Sequence, residues 1–107
     1  MLNKQTTLYL YRGASSSIDF DFSNFKFNGG KCVFTISNLC KNEKLLQFEF
    51  NVDRKYTMII SDEFTSTLKD NKYVYNIMYI IGDERYPQCA DSDIIVRNVV
   101  NAYGNNN

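Results

Sequence analysis

Side chains that could carry out chemistry are few in this 107-residue sequence, and histidine is absent altogether. Histidine is the usual general base at neutral pH, the partner of catalytic serine or cysteine, and the commonest metal ligand. The three cysteines, Cys32, Cys40 and Cys89, have a spacing that matches no zinc-binding pattern. We therefore predict a protein that is not an enzyme, with no catalytic residues, no metal and no cofactor.

Two acidic pairs are the remaining candidates for binding a cation. Asp19 and Asp21 lie two residues apart in a strictly alternating segment, so both side chains project from one face of a strand. Asp91 and Asp93 have the same spacing in a segment that we predict to be a loop. A solvated, charged surface explains both pairs, and calcium, which prefers carboxylate oxygens, is the alternative.

The odd number of cysteines, without a CxxC pair, is typical of a reducing compartment. The N-terminus lacks the apolar core of a signal peptide, and no apolar run is long enough to cross a bilayer. We expect a cytosolic product whose cysteines are buried or free thiols. A disulfide between Cys32 and Cys89 stays open as an alternative.

Length and charge limit the classes of partner. A chain of 107 residues fits one domain. Its 12 basic and 12 acidic residues cancel, whereas a nucleic-acid binder normally carries a clustered basic excess. We predict no binding to nucleic acid or membrane. Zero net charge also removes one barrier to self-association.

Alternating apolar residues predict the strands that would position these side chains. The clearest examples are Ile18, Phe20 and Phe22 in one segment, and the run that begins at Leu46 in another. The predicted strands cover residues 6–11, 17–22, 31–37, 46–52, 56–60, 73–81 and 94–100. Residues 61–69 are the one segment that favours a short helical turn, with Ser61 as its cap.

The segment 73–81 is long, aromatic and nearly uncharged, which indicates a central strand between two apolar layers. Tyr73, at its start, has the position of the tyrosine corner found in β-sandwiches. We predict an all-β fold: a single immunoglobulin-like antiparallel β-sandwich of about seven strands. It would form one domain over residues 1–107, with a polar tail at 101–107. An eight-stranded barrel or an orthogonal packing stays open.

The order of these signals is also informative. They are Tyr11-Arg12-Gly13, the alternating Ile18/Phe20/Phe22, the Gly-Gly-led strand Lys31–Ile36, Leu68 followed by Tyr73-Val74-Tyr75, and the closing Ile94-Ile95-Val96-Arg97. This order resembles the small immunoglobulin-like β-sandwich domains of tailed bacteriophages, including the N-terminal domain of baseplate upper proteins. The resemblance covers residues 5–100. It implies a structural part of the virion, by analogy of fold.

The chain starts at Met1 and ends soon after its last predicted strand, so we expect a stand-alone sandwich. Such a domain suits decoration of a repetitive lattice through one face or edge. The leading hypothesis is a capsid auxiliary (decoration) protein, assembled in the host cytoplasm and located in the virion. Its partners would be the major capsid protein or other virion proteins, and self-association within the symmetric lattice is a further expectation.

Three alternatives remain: a tail, baseplate or head-fibre adaptor module, a phage-encoded binder of a host protein, and a small hydrolase. The absence of histidine argues against the hydrolase. Exposed aromatic residues and arginine commonly anchor protein interfaces. The predicted interface residues are Tyr9, Tyr11, Arg12 and Tyr103.

Overall fold

The computed structural model describes residues 7–23, 29–39, 42–52, 55–69 and 72–98, with only the backbone of Cys89 and Ala90. Seven strands and one short helix lie in this part of the chain. They are β1 (Leu8–Arg12), β2 (Ser16–Asp21), β3 (Lys31–Asn38), β4 (Glu43–Asn51), β5 (Lys55–Ile60), α1 (Asp62–Thr65), β6 (Tyr73–Ile81) and β7 (Glu84–Asn98). No described helix is long and apolar enough to cross a membrane.

The strands form two sheets packed face to face. The larger sheet has the order β1-β7-β6-β3-β4, and the smaller one pairs β2 with β5. This two-sheet arrangement confirms the predicted all-β, immunoglobulin-like sandwich. One pairing differs from the purely antiparallel prediction, because β1 runs parallel to β7, with Leu8 opposite Ile94. A parallel pair needs a long crossover connection, and here the intervening strands supply it.

Aromatic rings fill the space between the two sheets. Phe20 of the smaller sheet lies with its ring centroid 5.1 Å from that of Phe50 and 6.3 Å from that of Phe34. Phe34 in turn stacks on Tyr75 of β6 at 5.4 Å. The alternating residues Ile18, Phe20 and Phe22, predicted from the sequence, are all buried. Burial of these apolar surfaces is the main force that holds the sheets together.

The connection between α1 and β6 forms the tyrosine corner that the sequence predicts. The Tyr73 side chain is buried, and its hydroxyl oxygen accepts a hydrogen bond from the backbone N–H of Lys69 at 2.9 Å. The helical turn begins as predicted at Ser61, whose hydroxyl accepts a hydrogen bond from the backbone N–H of Phe64. Buried Thr65 donates to the carbonyl of Ala14 at 2.9 Å, which ties α1 to the β1–β2 turn.

Replacing Tyr73 by phenylalanine should lower the free energy of unfolding by about 1–2 kcal/mol, because the Lys69 N–H loses its acceptor at a partly buried hydrogen bond. Urea denaturation followed by far-UV circular dichroism measures this change. Tyr11→Phe is the matched control, since the Tyr11 side chain is exposed. Equal stability of the two variants would show that the corner hydrogen bond contributes nothing.

The prediction for the last strand was wrong in its extent. Residues Gly82 and Asp83 form a two-residue hairpin turn, and β7 starts directly at Glu84. Gly82 has φ +57°, as the first central position of a type II′ turn requires. Asp91 and Asp93 therefore lie within β7 and not in a loop. Pairing with β6 overrides the weak strand propensity of the polar residues and Pro87 in this segment.

Candidate interaction surface

The first acidic pair lies on the outer face of the smaller sheet. The carboxylate of Asp19 accepts a hydrogen bond from the hydroxyl of Thr57 at 2.7 Å, across the β2–β5 pair. The carboxylate of Asp21 accepts hydrogen bonds from the hydroxyl and the backbone N–H of Ser23, and these bonds lower the pKa of Asp21. Both carboxylates are thus engaged by donors of the chain itself.

The second acidic pair lies on the outer face of β7. The carboxylate of Asp91 accepts a hydrogen bond from the side-chain amide of Asn76 at 3.0 Å, while Asp93 is exposed opposite Val74. Within the described ranges, no three histidine, cysteine, aspartate or glutamate side chains come together as a metal site. The calcium alternative therefore has no cluster to support it there.

Cys32 is the one thiol whose surroundings the structure describes. It is a free cysteine, fully buried on the inner face of β3. Burial raises the pKa of this thiol to about 11, so it is protonated and weakly reactive at neutral pH. The prediction of a buried cysteine is confirmed for Cys32. Cys40 and the Cys89 side chain lie outside the described residues.

Large exposed apolar side chains gather where β1 lies beside β7. Tyr9, Tyr11 and Ile95 are 45%, 42% and 39% exposed, and the register places Tyr9 opposite Ile95 and Tyr11 opposite Arg97. The Arg97 guanidinium lies 5.1 Å from the centroid of the Tyr9 ring, within the range of a cation–π interaction. These four residues, Tyr9, Tyr11, Ile95 and Arg97, are called the β1–β7 patch below.

Strand alternation explains why these side chains point outward. Leu10 of β1 and Ile94 of β7 face the core and are buried, so the residues beside them must face solvent. The core does not require aromatic or β-branched residues at these outward positions. Clustered apolar side chains on the surface mark interaction sites, and tyrosine and arginine are enriched at the energetic centres of interfaces.

Arg12, predicted as an interface residue, is half-buried and engaged with its own chain. Its Nε donates to the carbonyl of Leu68 at 2.8 Å, and its Nη1 donates to the side-chain oxygen of Asn98 at 2.7 Å. Arg12 thus ties the end of β1 to the connection between α1 and β6 and to the end of β7. Its contact with a partner stays a prediction.

The structure brings Tyr9 and Tyr11 together, whereas Tyr103 lies outside the described residues. Ile95 and Arg97 complete the patch and were missed from the sequence. They occupy alternate positions of the segment that begins at Ile94, so that segment's alternation was the available signal. The alternation does not show which strand lies beside this segment in the sheet.

A shallow groove of about 450 Å³ lies on the same outer face of the larger sheet, further from β1. Its floor consists of β3 residues Val33, Thr35 and Ser37. Side chains of β4 form one wall, and side chains of β6 form the other. We call it the β3 groove. Its lining is mixed, with Met78 and Ile80 beside several polar and charged groups.

Comparison of the sequence with protein-family models gives no match, and comparison with curated proteins gives none either. The arrangement itself can bind a partner through exposed side chains. Within the described residues no cluster of metal-ligating side chains is present, and burial raises the pKa of the Cys32 thiol to about 11.

Proposed function

We propose that this protein is a non-enzymatic structural protein of a tailed-phage virion, acting as a capsid auxiliary (decoration) protein that docks on the shell through the β1–β7 patch. The observation that carries the proposal is the cluster of Tyr9, Tyr11, Ile95 and Arg97 on one face of the sandwich. The resemblance of the sequence to phage sandwich domains supports the virion as its location.

The patch has the composition of an interface anchor. Two tyrosines bring large, stiff apolar surfaces, and truncating such a residue in an interface commonly costs about 2 kcal/mol or more of binding free energy. Arg97 adds a guanidinium that can pair with a carboxylate of the shell protein without leaving the Tyr9 ring. The patch also adjoins an edge of the larger sheet, where an extended segment of a partner can pair with β1.

The copy number in purified particles tests this function. A decoration protein occupies symmetry-related points of the head, so we expect hundreds of copies per particle by quantitative mass spectrometry. About a dozen copies or fewer would instead assign the chain to a tail, baseplate or head-fibre adaptor, whose sites have low-order symmetry. Absence from the particles would overturn the structural role and favour a binder of a host protein.

The double substitution Tyr9→Ser/Tyr11→Ser should reduce incorporation into particles at least about tenfold, because it removes both aromatic anchors of the patch. The readout is the amount of the chain per particle, compared with the soluble fraction of the same lysate. Ile59→Ser is the matched control, since Ile59 is 61% exposed on the smaller sheet. Normal incorporation of a folded double variant would exclude this patch as the docking surface.

A further inference from the structure

The strand register arranges the outer face of the larger sheet into rows that cross four strands. One row contains Lys44 of β4, Ser37 of β3, Val74 of β6 and Asp93 of β7. In this row the basic and acidic groups lie at opposite ends, on β4 and on β7. Both end residues are exposed.

A second charged pair has the reverse order at the other end of the strands. Arg85 of β7 lies opposite Ile80, and Glu49 of β4 lies opposite Val33, one row further along. Glu49 also pairs with Lys31 at 3.2 Å, with both side chains 56% exposed. The β7 side of the face thus carries Arg85 at one end and Asp91 and Asp93 at the other. The β4 side carries the complementary Glu49 and Lys44.

The shape of the face also differs between its β3 and β6 strands. Side chains of β3 line the β3 groove together with the longer side chains of Met78 and Ile80 on β6, which we take as its raised side, the ridge. The groove and the ridge are adjacent strands that pair with each other, with Val33 opposite Met78. A face with a groove next to a ridge can fit a second copy of itself.

We propose that two copies of the chain form an isologous dimer through this face, about a two-fold axis that runs parallel to the strands between β3 and β6. That axis exchanges β3 with β6 and β4 with β7, so each Met78 ridge enters the β3 groove of the other copy. Asp93 then faces Lys44 of the other copy, and Arg85 lies diagonal to Glu49. Each pair occurs twice.

Charge complementarity favours a second copy over an unrelated partner. This rotation brings Asp93 opposite Lys44 twice, and Asp91 opposite the uncharged Gln47, while the whole chain has zero net charge. The two-fold axis also leaves β1 beyond the edge of the overlap, since no strand lies outside β4 in the described sheet. The β1–β7 patch stays available, and the dimer does not depend on the proposed virion role.

The size of the face sets the expected strength. Strands lie about 4.8 Å apart, and alternate residues rise about 6.7 Å, so four strands by four rows give roughly 500 Å² per copy and roughly 1,000 Å² in total. This is at the low end for specific protein interfaces. We expect a reversible dimer, with a dissociation constant of roughly 10–500 µM.

Sedimentation equilibrium of the full chain between about 5 µM and 1 mM tests the proposal. In Asp93→Lys the new lysine faces Lys44 of the other copy at both Asp93–Lys44 contacts of the dimer. In Lys44→Glu the new glutamate faces Asp93 in the same way. Each variant alone should therefore raise the dissociation constant at least about tenfold. An equimolar mixture of the two variants should dimerise again, because each then offers the opposite charge to the other. The double variant Asp93→Lys/Lys44→Glu should return to within about threefold of the parent chain.

Glu63→Lys is the control, since Glu63 is exposed on α1 and outside this face. It should leave the dissociation constant unchanged, and circular dichroism verifies that every variant is folded. The proposal is overturned if the parent chain stays monomeric throughout the range, or if the mixture of single variants fails to dimerise. Loss of the dimer in Tyr9→Ser/Tyr11→Ser would also overturn it, by assigning self-association to the β1–β7 patch.

Discussion

Replacement of Phe20 by alanine is expected to lower the free energy of unfolding by about 3–5 kcal/mol. The Phe20 side chain is 1% exposed and reaches from the smaller sheet to rings of the larger one. Its ring also lies parallel to that of Phe22, with centroids 6.1 Å apart. Alanine would leave a cavity between two sheets whose backbones cannot collapse onto each other. The variant therefore loses the transfer free energy of the buried ring and also bears the cost of the cavity.

A loss of this size is a large part of the roughly 5–15 kcal/mol that stabilises a domain. Guanidinium denaturation followed by circular dichroism measures it, with the midpoint compared at constant slope. Ile59→Ala belongs to the same sheet but removes an exposed side chain, so it should change stability by no more than about 0.5 kcal/mol. Similar losses for Phe20→Ala and Ile59→Ala would contradict a core centred on Phe20.

The second large effect is expected at Gly30, just before β3. Its φ is +89°, and a β-carbon at this position would lie 2.7 Å from the backbone oxygen of Ile80 and 2.8 Å from the hydroxyl oxygen of Tyr79. Tyr79 cannot move away at low cost, because it is fully buried and its hydroxyl donates to the carbonyl of Gly29 at 2.6 Å. Gly30→Ala should therefore cost about 3–4 kcal/mol, from backbone strain and displacement of Tyr79 together.

The neighbouring glycine separates these two contributions. Gly29 also has a positive φ, +76°, but a β-carbon there would meet no atom within 4 Å. Gly29→Ala should then lower the free energy of unfolding by about 1 kcal/mol, because it adds only the strain of the left-handed backbone. Thermal and chemical denaturation of both variants give the difference. Equal losses at Gly29 and Gly30 would mean that the close approach of β6 to Gly30 has no energetic consequence.

The local pattern of apolar and polar residues was enough to predict the strands that have one face towards the core and the other towards solvent. The bounds of β6, Tyr73–Ile81, agree with the prediction because an uncharged, aromatic segment has only one place in a sandwich, at its centre. The helical turn and its Ser61 cap could also be predicted from local sequence alone. A capping hydroxyl and the N–H that it accepts from are only three residues apart.

The first half of β7 could not be predicted, because its backbone pairing with β6 is a long-range property. Residues from Glu84 to Asp93 show no regular alternation, and the register with β6 shifts twice, on either side of Ile77. Such irregularities move side chains from one face to the other and remove the periodic signal. The acidic pair Asp91 and Asp93 was consequently placed in a loop.

The candidate site was predicted in part. Tyr9 and Tyr11 follow from alternation in the first strand alone, since they flank Leu10. Their proximity to Ile95 and Arg97 depends on the parallel pairing of β1 with β7, which no local signal encodes. The internal bonds of Arg12 have the same origin, because both of its acceptors are more than fifty residues away in the chain.

The parallel pairing of β1 with β7 has a consequence for biosynthesis. The two halves of the β1–β7 patch come from the first and the last described strands, so a chain under synthesis presents neither the paired strands nor the complete patch until β7 has been made. Contacts of such high sequence separation also slow folding. If the chain docks as proposed, a polypeptide that lacks β7 cannot present the docking surface, so only chains that have completed the sandwich would take part in assembly.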